Sequence, residues 1–312
     1  MEYAPVVVFV YNRPEHTQQT LDSLASNELA EKTDVFIFCD GVKENAAPET
    51  KEKIELTRSV VKQKRNFKSL TISESQINKG LASSIISGVS SIINKYEKII
   101  VLEDDIVTGR YFLTYMNTAL ELYKNEKKVW HITGWHNPTK RINMNGAFFY
   151  PLMDCWGWGT WIDRWSYFRK DPEEIVNKYS KNDIKKFNVD GLVPNKWNQV
   201  LGNLNGRNNT WAIFWYEVIL SKDGLCLAPS NSLVKNIGCD NSGVHGKTSE
   251  HFEIKNDINH RIINFPETFV IDTKEFNLLK RDYKKRFRFE RFKQVVKKIL
   301  PLKIIELYHK YR

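Results

Sequence analysis

The chain has 312 residues, is 41% hydrophobic and carries a formal net charge of +10. That is enough apolar material for one large α/β core, and it excludes a disordered, collagenous or disulfide-framework protein. The charge excess sits in 280–312, which hold 13 of the 47 Lys and Arg residues against Asp282, Glu290 and Glu306, leaving 34 residues of each sign before them. A neutral body with a basic tail argues against a nucleic-acid-binding globule, whose basic face would belong to the folded body, and for a tail that meets an anionic membrane surface.

In chain order, Val6 to Val10 is a continuous apolar β-rich run, the signature of a parallel strand buried on both faces. Asn12 then offers a helix N-cap and Pro14 an early helical position, with Leu21 and Leu24 at helical spacing. Val35 to Phe38 reads as a second buried strand ending at Asp40-Gly41, followed by a charged helix from about Pro48 to Lys64. Ser69 to Ile72 is a short third strand, and Asn78-Lys79-Gly80 turns the chain into a helix from about Leu81 to Asn94. Lys98 to Leu102 is a fourth strand that ends in Glu103-Asp104-Asp105. An apolar face from Tyr111 to Tyr123 then marks another helix. This alternation predicts a doubly wound α/β sheet.

From Trp130 to Trp215 the chain is rich in Trp, Gly and Asn and shows little regular periodicity. Gly224 to Pro229 and Phe265 to Ile271 read as two further short strands. The one plausible boundary falls near Glu275, giving a body of 1–275 and a basic amphipathic tail of 276–312. The longest apolar runs fall well short of the roughly 20 residues of a membrane span. The N-terminal residues do not read as a secretory signal, and Cys39, Cys155, Cys226 and Cys239 have no metal-ligand spacing. The expectation is a reduced, cytoplasmic protein without a zinc site.

The chemistry concentrates at strand ends. Ligands of open α/β sheets bind at the carboxyl edge, where Glu103, Asp104 and Asp105 put three mutually repelling carboxylates that a cation would compensate. Mg²⁺ or Mn²⁺ suits one or two carboxylates plus phosphate oxygens; an acidic helix start is the plainer alternative. Asp40, at the end of a neighbouring strand, is placed to accept a hydrogen bond from a base N–H or a ribose hydroxyl, or else to make an Asp-Gly turn. Asn78 and Lys79 either approach a phosphate or base through their backbone or simply start a helix. The tryptophans offer faces on which sugars stack, or pack beneath a long loop.

Taken in order, several segments carry a resemblance. They are Pro5 to Pro14, Asp40, Asn78-Lys79-Gly80-Leu81, Val101 to Asp105, Trp156-Gly157-Trp158-Gly159-Thr160-Trp161, Trp211 with Trp215, Pro229, and Leu233 to Gly238 continuing to His245. Together they resemble the GT-A glycosyltransferases, specifically the group of N-acetylglucosaminyltransferase I and its bacterial relatives. The resemblance spans about Ala4 to Gly246. It implies a Rossmann-like GT-A fold, a nucleoside-diphosphate sugar donor and Mn²⁺ or Mg²⁺. It further implies that Asp40, Asn78, Lys79, Glu103 and Asp104 bind the donor, with Asp105 and His245 at the metal. Trp135, Trp156, Trp158 and Trp211 are the expected acceptor-side residues. One departure stands out: the relative's catalytic Asp directly follows a tryptophan matching Trp211, where this chain has Ala212. Asp154 and Glu217 are the candidate bases.

The tail interleaves Phe287, Phe289, Phe292, Val295, Val296 and Ile299 with Arg and Lys, a pattern suited to a helix lying in a membrane interface or docked on the body. The expected function is inverting, metal-dependent sugar transfer to a glycan acceptor, carried on a lipid, in O-antigen or capsule synthesis at the inner face of a bacterial membrane. A non-catalytic carbohydrate-binding protein is one alternative. A nucleotidyltransferase making sugar nucleotides is another, although Tyr11-Asn12-Arg13-Pro14 is no Gly-rich phosphate loop.

Overall fold

The computed structural model describes residues 2–136, 145–240 and 257–299. Its centre is an eight-stranded mixed sheet in the order β3-β2-β1-β4-β8-β6-β9-β7. The strands are β1 (Val6–Val10), β2 (Asp34–Cys39), β3 (Ser69–Glu74), β4 (Lys98–Glu103), β6 (Val129–Thr133), β7 (Ala147–Tyr150), β8 (Trp158–Trp161) and β9 (Leu225–Pro229). The first four pair in parallel, β8 runs antiparallel between β4 and β6, and β9 is parallel to β6 and antiparallel to β7. A separate two-stranded ribbon pairs β5 (Ile106–Thr108) with β10 (Val234–Asn236).

Alternation along the central strands divides the core. Val6, Val8, Val10, Ile100 and Leu102 point to one face, beneath α1 (Pro14–Ala25) and α4 (Phe112–Leu122). Val7, Phe9, Ile99 and Val101 point to the other, with α3 (Leu81–Tyr96) and α9 (Ala212–Ser221). Both central strands are therefore buried on both faces, as their unbroken apolar runs require. β2 is less enclosed than its sequence implies: Val35, Ile37 and Cys39 are buried, while Phe36 and Phe38 stay partly exposed on the second face.

Helix α2 (Pro48–Val61) is close to its expected span. The Trp-rich segment is more regular than expected. It contains β6, β7, β8 and α9, together with α5 (Ile162–Trp165), α6 (Pro172–Lys178), α7 (Lys181–Phe187) and α8 (Asn195–Leu204). These elements are short and enclosed by aromatic rings, so no polar face repeats long enough to give a period. The expected strand at Phe265 to Ile271 does not form; only Asn264 makes an isolated bridge, to Gly146. Asn12 does not cap α1. Arg13 occupies that position without a side-chain capping bond.

The C-terminal extension begins as α10 (Thr273–Ile299), started by Asp272, whose Oδ1 accepts from the Glu275 amide at 2.9 Å. The boundary expected near Glu275 thus falls in its first turn. Leu279 is buried and Phe276 and Tyr283 are partly buried against the second core, so the start of the helix is docked on the body. No described helix is long and apolar enough to cross a membrane.

Within the second core the Trp158 ring is fully buried. It lies 5.5 Å from the His131 ring, 5.2 Å from Trp211 and 5.7 Å from Trp165. Truncation there leaves a large cavity among rigid rings. Trp158→Ala is expected to lose about 3–5 kcal/mol of stability, and Trp156→Ala, half-buried at the sheet edge, markedly less, as read by urea unfolding.

Candidate active site

Because β4 lies beside β1 and parallel to it, Phe9 pairs with Glu103, and the residues after both strands emerge at one edge. That brings Arg13 onto the acidic triplet. Its Nη1 donates to Asp105 Oδ2 at 2.9 Å and lies 3.6 Å from Asp104 Oδ1. The turn is tied to its surroundings through backbone oxygens: Asp104 O accepts from Thr20 Oγ1 at 2.8 Å, and Asp105 O from the Ile237 amide at 2.9 Å. Gly238 presses against the pair. A Cβ there would stand 2.1 Å from Asp105 Oδ2 and 3.0 Å from Arg13 Nη1, so any side chain at this position would displace the Asp105 carboxylate. His16, in the first turn of α1, reaches Asp240 Oδ2 at 3.2 Å and closes the same flank.

One guanidinium does not balance three carboxylates. Burial first, then the charges of Asp105 and Asp104, push Glu103 up to about 8. Burial and Asp105 push Asp104 up to about 7. Asp105 is raised by burial as well, and Arg13 opposes the shift at all three. The Asp104 and Asp105 side chains keep 13% and 18% of their exposure, so water screens part of the repulsion. The triplet is therefore short of positive charge.

Asp40 makes the Asp-Gly turn and holds the neighbouring loop. Its Oδ1 accepts from the Gly41 amide at 2.9 Å and the Lys79 amide at 2.8 Å. Its Oδ2 accepts from the Gly80 amide at 2.9 Å and Asn78 Nδ2 at 3.1 Å. Asn78 Nδ2 also donates to Gly41 O at 2.9 Å. Four donors meet the carboxylate, so in the donor-free protein it anchors the loop. Helix α3 has no side-chain cap of its own, and its N-cap Gly80 has φ of 75°. Asp40 thus caps α3 from a neighbouring strand. The Lys79 side chain is exposed at the same edge.

The tryptophans separate into two groups. Trp158 and Trp211 stack inside the second core and offer no ring face to an acceptor. Trp135 is 4% exposed and meets Trp156 edge-on, with centroids 4.8 Å apart. The β4–β8 pairing ends at Val101 with Trp158, and Gly157, with φ of 65°, turns the half-buried Trp156 to the first core, opposite to Trp158. Trp156 is the one of the four that is only half-buried.

Of the two candidate bases, Glu217 is not brought to the triplet. It accepts from Tyr179 Oη at 3.0 Å, in a groove on the α6 side of α9 lined by Tyr167, Arg169, Glu174, Lys178 and Lys222. The helix turns it away from Ala212, as its spacing dictates. Asp154 lies nearer. Burial raises its carboxyl to about 6, against a hydrogen bond from Tyr150 Oη and the charge of Lys196. Burial first, then the charges of Glu103, Asp154 and Asp105, push the neighbouring Cys155 thiol well up. The Asp154 carbonyl is held by His131 Nε2 at 3.0 Å. Trp215 Nε1 donates to His131 Nδ1 at 3.2 Å, which leaves the ring proton on Nε2. Burial drops this histidine to about 4, so it stays neutral.

His245 lies outside the described residues. Among the described residues no group of three or more His, Cys, Asp or Glu side chains is arranged to hold a metal. Sequence reasoning gave no role to Arg13, Gly238 or His16. Their signal was weak, because each owes its place to a contact far away in the chain.

Residues 1–155, just under half of the chain, match the GNT-I family. That half of the chain is similar to the family whose motifs it carries in order. Its strand order and edge site agree with the fold the resemblance implies. Similar solved structures include TarS from S. aureus, at 14% identity over 47% of this chain and 24% of that one, with a TM-score of 0.30. A structure of S. aureus TarS 1-349 gives 16% identity over 41% and 34%, with a TM-score of 0.28. The mannosyltransferase PcManGT from Pyrobaculum calidifontis, in complex with GDP-Man and Mn²⁺, gives 12% identity over 71% and 70%, with a TM-score of 0.37. The chain thus spans about a quarter of the first TarS structure. No curated protein matches it.

Two outcomes follow from this geometry. Asp40→Ala removes the acceptors for the Lys79 and Gly80 amides, and their hydrogen exchange is expected to accelerate in the donor-free protein while β1 stays protected. The acidic triplet binds protons more tightly folded than unfolded. Its stabilising contribution is therefore complete below the ordinary carboxylate range and is lost as pH rises toward 8. Urea midpoints between pH 4 and 8 should fall less steeply for Glu103→Gln than for the wild type.

Proposed function

We propose that this chain transfers a sugar from a nucleoside-diphosphate sugar to an acceptor hydroxyl, with a divalent cation beside Asp105. The observation that carries this is the charge-deficient triplet at the carboxyl end of β4, on the edge where open α/β sheets bind nucleotides. Three carboxylates with one guanidinium favour an added cation, and Mg²⁺ or Mn²⁺ taking most of its ligands from a diphosphate and water needs only one or two of them. Asp105, with the most exposed carboxylate of the ion-paired two, would hold it, with His245 as an additional ligand. When bound, such an ion supplies charge neutralisation for a departing diphosphate.

The chain's own residues do the rest. Asp40 fixes the Asn78-Lys79-Gly80 loop, and the exposed Lys79 side chain reaches toward the donor. Glu103 and Asp104 face the sugar or ribose, and Trp156 offers an apolar face to a pyranose ring. Asp154 is the proposed base: its carboxyl, raised toward neutrality, is ionised at working pH yet still basic enough to take a proton from an acceptor hydroxyl. Inversion at the anomeric carbon follows from the family resemblance. The basic extension, docked at its start by Phe276 and Leu279, would carry its remaining Lys and Arg to an anionic membrane surface, where a lipid-linked acceptor of O-antigen or capsule type resides. That placement makes the protein peripheral on the cytoplasmic face.

The test is release of nucleoside diphosphate by the full chain from a panel of UDP- and GDP-sugars, with lipid-linked acceptors and with or without Mn²⁺. Release with at least one donor is expected, falling on the order of 10²-fold or more in Asp105→Ala. No release from any donor, or equal release by the variant, contradicts the proposal.

A further inference from the structure

Asp105 carries two facts that bear on one another. It is the carboxylate assigned to a cation, and in the donor-free protein a cation is already on it. Arg13 Nη1 sits 2.9 Å from Asp105 Oδ2, with Asp104 Oδ1 at 3.6 Å. The Arg13 side chain is only 13% exposed, so this is an enclosed pair and not a solvent-flickering surface contact. Behind the same oxygen lies Gly238, so close that a Cβ would stand at 2.1 Å. On that oxygen, a guanidinium closes one approach and main chain another.

A divalent ion coordinated by Asp105 Oδ2 and a guanidinium hydrogen-bonded to it would lie on the order of 4 Å apart, two like charges in a half-buried site. One has to yield. Arg13 yields at low cost only if a second anion receives it, because an enclosed guanidinium without a partner is unfavourable. Arg13 stands at the N-cap of α1, beside amides of the first turn that have no intrahelical acceptor. A diphosphate arriving at this mouth supplies the missing anion, and guanidinium–phosphate pairing is among the strong charge-assisted bonds.

We propose that Arg13 is the built-in counter-cation of Asp105, which keeps divalent ions off the donor-free protein and moves from Asp105 to the diphosphate when the donor arrives. Cation and nucleotide then bind as a coupled pair, each strengthening the other by the same factor. Arg13 is here a positioning residue that sets the order of assembly. The inference rests on the proposed donor site.

The experiment is Mn²⁺ titration of the full chain, followed by the electron paramagnetic resonance signal of free Mn²⁺, alone and with UDP or GDP. Wild type, Arg13→Gln, Arg13→Lys and Asp105→Asn are compared, each checked for native circular dichroism. Wild type should bind Mn²⁺ weakly alone and roughly tenfold or more tightly with a nucleotide. Arg13→Gln should bind Mn²⁺ alone about tenfold more tightly than wild type, with little further gain from nucleotide. Arg13→Lys, which keeps a cation, should resemble wild type, and Asp105→Asn should lose the site. Equal nucleotide-free binding by wild type and Arg13→Gln, whether tight or absent, overturns the latch. If neither nucleotide changes Mn²⁺ binding in wild type, the hand-over is overturned; if neither nucleotide binds at all, the donor site falls with it. The nucleotide-free comparison judges the latch separately in both cases.

Discussion

The crowding of Glu103, Asp104 and Asp105 at the end of one buried strand, against a single guanidinium, is the constraint around which this edge of the molecule is built. Parallel pairing of β1 with β4 is what allows it, since Arg13 follows one strand and the carboxylates follow the other. The turn cannot relax outward, because its carbonyls are taken by Thr20 on α1 and Ile237 beyond β10. The β5–β10 ribbon therefore has a purpose beyond closing a loop. It delivers the glycine that lies against Asp105. Charges that would disperse in solution are held together by packing far from them.

Around that centre the structure separates residues that touch ligands from residues that place them. Asp40 is one that places others: in the donor-free protein its carboxylate holds the loop and the start of α3. His131 is another, a neutral ring whose two nitrogens fix the Asp154 carbonyl and the Trp215 indole. The tryptophans divide in the same way. Trp158 and Trp211 build the rigid wall of the second core, and Trp156 packs half-buried against the first, beside Trp135. A residue type suited to sugar stacking says nothing by itself about which side of the wall it occupies.

The first half of the fold was legible in the sequence because its strands are buried on both faces and its helices carry ordinary start signals. β1, β4, α1 and α3 formed where their apolar runs and their Pro or Gly residues indicated. The segment after Trp130 was opaque, since short strands and four- to ten-residue helices packed by aromatic rings show no repeat. Phe265 to Ile271 looks β-rich but finds no strand to pair with. The triplet was visible as a carboxylate cluster at a strand end. Its partner Arg13 was not, because an arginine in a turn carries no local signature of a contact 92 residues away. Glu217 faces the Tyr179 groove for a reason the helical period already contained.

The central claim, that a divalent ion and a diphosphate meet at Asp105, is tested most directly by anomalous scattering from Mn²⁺ in crystals grown with UDP or GDP. The account predicts one strong peak bonded to an Asp105 carboxylate oxygen and to the diphosphate, with Arg13 turned from Asp105 to a phosphate oxygen. Nucleotide bound at this edge with no peak at Asp105, or a peak there with Arg13 still on the carboxylate, would contradict it.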